Sequence, residues 1–118
     1  MKTQEAITAF SQSEKIKSGL IWISHGIEII NGLPERDRQG AEKIINSLLD
    51  IIANEIHLAR KLAEDESWND TEKHIHMAIV MINSGVAHEA VFHLTRALSH
   101  VTNIGQRSLF FLKQEGFL

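Results

Sequence analysis

The sequence predicts an all-α protein: an antiparallel helical bundle of four segments, three long helices and one short, forming a single domain over residues 1–118 and completed by oligomerisation. Three observations predict it. One proline and seven glycines in 118 residues, with abundant Ile, Leu, Ala, Glu and Lys, favour helix. Apolar residues return every three or four positions over long runs. Helix breakers gather at three places, "NGLPERD", "DESWND" and "NSG", and divide the chain into four.

The first segment is expected from about Thr3 to Asn31, with Ala9, Ser13, Ile16, Leu20, Ile23, Ile27 and Ile30 on one face. Gly32 stops it and Pro34 opens the next. The second segment, from around Glu35 to Glu64, buries Ala41, Ile45, Leu48, Ile52, Ile56, Ala59 and Ala63, and its opposite face reads Lys43, Ser47, Asp50, Asn54 and Lys61. Asn69 and Glu72 resemble a capping pair, which starts the short third segment near Asp70. That segment ends at Asn83, with core positions Ile75, Ala78, Ile79 and Ile82. The fourth, from about Val86 to Lys113, uses Ala87, Val91, Leu94, Leu98, Val101 and Leu112. The apolar seam changes phase across Gly85, so "NSG" reads as a turn between two helices, with a kinked continuous helix as the alternative.

Segment lengths do not match. The first two are each roughly 45 Å long at 1.5 Å per residue and the third is about half that. An up-and-down bundle then leaves the tip of the first hairpin uncovered and lets the fourth segment overshoot. Neither region is polar: the tip holds "GLIWISHGIEII" and the tail "SLFFLKQEGFL". Trp22 and Ile29 lie off the core stripe, as do Met77, Met81, Phe92, Phe110 and Phe111. A helix apolar on several sides must bury several sides. These residues are therefore the expected interaction surface of a homo-oligomer, most simply a two-fold dimer.

Composition narrows the function classes. A formal net charge of −3 with dispersed Lys and Arg offers no basic stripe for nucleic acid. The absence of cysteine removes disulfides, thiolate zinc sites and iron–sulfur clusters. Apolar runs are interrupted by His25 and Glu28, or by His76, which argues against a membrane partner, and "MKTQEAITAF" lacks the pattern of a signal peptide. A cytoplasmic location is the expectation.

Seven histidines are many for this length. Imidazole is the commonest metal ligand and changes charge near neutral pH. The best metal constellation pairs Glu72 with His76 and Glu89 with His93, each at i,i+4 on facing helices; the bland alternative is a set of solvated helix flanks. Bis-histidine haem would need His25 and His100, which face away from the intramolecular core and could meet only between subunits. No metal ligand set and no catalytic residue is assigned, and no cofactor is expected. Glu55 falls inside the apolar arc of the second segment, level with Ser13. As a buried carboxylate it should hydrogen-bond to Ser13, Lys17 or a histidine of the second hairpin.

"INSGVAHEAVFHLTRAL" resembles the turn and second helix of a tetratricopeptide-type hairpin, through Gly85, Glu89-Ala90 and Ala97-Leu98. Chain length and long helices are similar to those of small bacterial flagellar export chaperones. The spread of His25, His57, His74 or His76, and His100 over four helices resembles hemerythrin, a di-iron bundle, but Lys61 stands where its second-helix carboxylate belongs. The reading is a non-enzymatic oligomeric bundle acting through protein contacts, as adaptor, chaperone-like protein or regulator. The alternative is a histidine-rich bundle that binds a metal ion or haem in a sensor or redox role.

Overall fold

A computed structural model describes residues 1–118. Its four helices are α1 (Thr3–Asn31), α2 (Glu35–Leu62), α3 (Glu66–Asn83) and α4 (Ala87–Gln114). None is long and apolar enough to cross a membrane. They pack in ring order, each against its two neighbours, with no close backbone approach across the diagonals. The molecule is elongated, 54 × 21 × 18 Å.

Local chemistry explains each connection. At the end of α1 the Arg38 guanidinium reaches back to donate to the carbonyls of Asn31 and Leu33, both at 3.1 Å, while Pro34 opens α2. The α3–α4 connection is a turn. Gly85 has φ +83°, its N–H bonds to the Ile82 carbonyl and the Val86 N–H to that of Met81. This is the paired pattern that ends a helix on a left-handed glycine. Gly116 repeats it at the end of α4, with φ +84°.

The start of α3 departs from expectation. It begins at Glu66 instead of Asp70, and Asp65, not Asn69, caps it by accepting from the Ser67 N–H at 2.9 Å. The extra turn brings in Trp68, which is completely buried with its indole N–H donating to the Ala63 carbonyl at 3.2 Å. A bulky anchor thus fills the corner where α2 hands over to α3, and its one polar atom is satisfied.

The core follows the expected faces, with corrections on α2. Every named α1 position is buried, Ser13 included. On α2, Leu48 is exposed and Leu49 buried in its place; Ala41 is half-buried. Ile79, Val91 and Leu98 pack on the core from half-buried positions, and Ala90, Ala97, Ile104, Gly105 and Ser108 complete the inner face of α4. Small residues there allow close approach: a Cβ at Gly105 would stand 2.7 Å from Ser13 Oγ. Gly19 and Gly26 of α1 do the same under Ile52 and Ile45 of α2.

The length mismatch resolves differently from the sequence expectation. Ala87 and Asn31 lie equally far along their helices from the Gly105–Ser13 contact, so antiparallel α4 covers α1 from end to end. The tail of α4 is not left bare, since Ser108 and Leu112 are buried where it runs beside Ala6 and Ala9. The hairpin tip keeps Ile27 and Ile30 buried too. The deficit falls on the first turns of α2, beyond the level where Asn46 bonds Asn83 of α3 at 2.8 Å. Residues 34–40 are exposed throughout, and their sequence, "PERDRQG", suits water.

Replacing Trp68 with Ala should lower stability by about 3–5 kcal/mol, the range for deleting a buried aromatic side chain. Trp68→Phe should lose roughly 1 kcal/mol for the indole hydrogen bond, plus a small packing change. Urea denaturation followed by circular dichroism checks both, and the exposed Trp22 leaves a solvent-type fluorescence signal in each variant.

Candidate functional site

The densest cluster of titratable side chains lies in the groove between α3 and α4. His93 and His100, seven residues apart, share one flank of α4. His74 projects from α3 between them: its ring centroid is 5.6 Å from that of His93 and 5.7 Å from that of His100. The helices place them there because Ile75 and Ala78 on α3, and Leu94, Ala97 and Val101 on α4, are committed to the core. The three histidines are half-buried at the mouth of the seam.

His74 Nδ1 and His93 Nδ1 stand 3.3 Å apart. A hydrogen bond there needs one nitrogen to carry a proton and the other to be bare, so the contact selects a state in which at least one ring is neutral. Burial holds the His74 imidazole below its ordinary 6.5, and the neighbouring His100, His93 and Arg96 push the same way against a weaker pull from Asp70. Phe92 meets His93 edge-on at 5.4 Å, and the Arg96 guanidinium sits 5.1 Å from the centre of the Phe92 ring. As a ligand set the three rings are poorly aimed: His100 stacks on His74 at an interplanar angle of 19°, so their nitrogens do not converge on one point. No group of three or more His, Asp or Glu side chains is arranged to hold a metal ion.

The constellation picked from sequence is not brought together. Glu72 accepts from Arg60 of α2 at 2.6 Å and, with His76, lines a cleft of about 420 Å³ between α2 and α3. His93 lies in the other groove, where its partner is His74. Two residues of helix separate His74 from His76, roughly 200° of rotation, so only one of them can face α4. Glu89 is exposed. His25 is exposed beside Glu28 on α1, away from His100.

Glu55 also differs from expectation. It is half-exposed, and it binds α1 through Gln12 Nε2 at 3.0 Å and Lys15 Nζ at 3.0 Å. Ser13 is not its partner, because the Ser13 hydroxyl donates to the Phe10 carbonyl at 2.8 Å. Hydrogen bonding from Gln12, then from Lys15, holds the Glu55 carboxyl below its ordinary range.

Among the surface residues singled out from sequence, Trp22 is 71 % exposed, and Ile29, Phe92, Phe110 and Met77 are exposed as well. Met81 and Phe111 are half-buried. An equal set was missed on α2: Ile44, Leu48, Ile51, Leu58 and Leu62 are all exposed. The signal was present as doublets, Ile44-Ile45, Leu48-Leu49, Ile51-Ile52, Leu58-Ala59 and Leu62-Ala63. The second residue of each pair enters the core and the first does not.

Because His74 is harder to protonate folded than unfolded, the unfolded chain binds more protons between its lowered value and 6.5. Stability should therefore fall as pH drops below 6.5, and His74→Gln should flatten that slope. Urea midpoints measured across this range, for both proteins, check the expectation. An equal slope in the variant counts against it.

Models of known protein families, curated proteins and solved structures were all compared with this chain, and none matches.

Proposed function

We propose that this is a cytoplasmic, non-enzymatic helical-bundle protein that acts through protein contacts, as adaptor, chaperone-like protein or regulator, and works as a homo-oligomer. The observation that carries this reading is the number of large apolar side chains left exposed around the whole bundle.

The exposed large apolar side chains occur on every helix: Trp22 and Ile29 on α1, Ile44 and Ile51 on α2, Met77 and Val80 on α3, Phe92 and Phe110 on α4. A single two-fold contact would cover some of these and leave others for a different protein. Charged flanks separate the groups, a common border of protein interfaces.

Sedimentation equilibrium of the full chain tests the self-association. The expected result is a multiple of the 13.3 kDa chain mass. A monomer persisting at roughly 100 μM, where a micromolar Kd is already saturated, overturns it.

A further inference from the structure

We propose that the groove between α3 and α4 binds a zinc ion through two imidazole nitrogens, His74 Nδ1 and His93 Nδ1. The site lies within one chain and is independent of self-association.

The distance between the two nitrogens points to zinc. They stand 3.3 Å apart. Hydrogen bonds from N–H groups usually span about 2.7–3.2 Å, so the pair is loose for a hydrogen bond. Zinc binds imidazole nitrogen at about 2.0–2.1 Å and takes tetrahedral angles. Two such bonds hold their nitrogens roughly 3.3–3.4 Å apart. The right angle of a square-planar ion such as copper(II) would bring them to roughly 2.9 Å. The three imidazoles of the groove do not converge on one point, but these two nitrogens have the bite of neighbouring ligands on a tetrahedral ion. Water completes the coordination, and the half-buried position of both rings leaves the ion a path from solvent.

The two rings are held in place before any ion arrives. Ile75 and Ala78 on α3, and Leu94 and Ala97 on α4, are buried, so the core sets the backbone that carries each ligand. His100 stacks on His74 with centroids 5.7 Å apart, and Phe92 meets His93 edge-on at 5.4 Å. Outer partners that orient ligand rings are a regular part of metal sites. Both Nδ1 lone pairs must face the ion, so the ring that donates Nδ1–H in the present contact passes to its Nε2–H tautomer; a pair of neutral rings need lose no proton overall. Of the charges that act on His74, Asp70 favours a cation and Arg96 opposes one. The Arg96 guanidinium is turned over the Phe92 ring, 5.1 Å from its centre.

The remaining histidines, His25, His57, His76 and His88, are all exposed and can be removed together as a control. The untagged full chain, freed of metal with a chelator, is titrated with zinc sulfate in a calorimeter at about pH 7.5, where an ordinary imidazole is mostly neutral. One zinc per chain is expected. His74→Gln and His93→Gln should each weaken binding at least about tenfold, since losing even an outer partner of a ligand costs that much. The fourfold variant with Gln at 25, 57, 76 and 88 should bind as the native chain does. Proton–nitrogen correlation spectra of the native chain give a readout that does not depend on how any variant folds: zinc should shift Nδ1 of two histidines and leave both protonated at Nε2. No uptake at about 1 mM zinc overturns the site. So does binding that survives His74→Gln or His93→Gln, binding lost in the fourfold variant, coordination through Nε2, or one zinc per two chains, which would place the ion between copies.

Discussion

The seating of α4 on α1 at Gly105 and Ser13 governs the rest of the bundle. With no side chain at 105 the two backbones close up, and Ala90, Ala97 and Ser108 keep the seam narrow along its length. Any Cβ at 105 would have to displace a hydroxyl already bonded to the Phe10 carbonyl. Because α4 matches α1 end to end, α3 is the helix that falls short, and α2 is the helix left with the least cover. The uncovered turns of α2 are polar and tolerate water. The shortfall therefore costs little stability.

Helix periodicity was legible in the sequence because each inner stripe is long and regular. All named α1 positions are buried, and the turn at Gly85 follows from a residue able to adopt φ of +83°. What the sequence left ambiguous was a choice between nearby residues of like character. Leu48 and Leu49 are equally apolar, and only the position of α1 and α3 decides that Leu49 faces inward. Asp65 and Asn69 can both cap a helix; burial of Trp68 settles the choice, since starting at Asn69 would leave the indole outside the helix. His74 and His76 differ by two residues, and the groove that each one enters depends on the rotation of α3, set by Ile75 and Ala78. Glu55 was read as buried because its neighbours are apolar, but those neighbours belong to the seam that points outward.

The histidine groove and the outer α2 seam follow from one geometric rule. In a square bundle each helix has one inward face and two flanks, and a flank residue is covered only if its neighbour's flank is complementary. Between α3 and α4 the flanks are filled by imidazoles, with Arg107 bonded to Asp65 at 2.7 Å farther along. That pairing is specific and polar. Between α1 and α2 glycines let the helices approach, so Ile45 and Ile52 spread over Gly19 and Gly26. The apolar residues one position earlier are thereby turned outward.

A chain of this size has little choice in the matter. Four helices enclose one core, and a second seam on α2 adds nothing to it, because the inward positions are already filled by its own Ile and Leu residues. Had the doublets served only to widen the inner face, their outer members would sit half-buried at the α1 border, as Ala41 does at the level of the tip. They are instead exposed, from 40 % at Leu48 to 65 % at Ile44. Side chains that add nothing to the monomer core and face water form surface that a contact with another protein can cover.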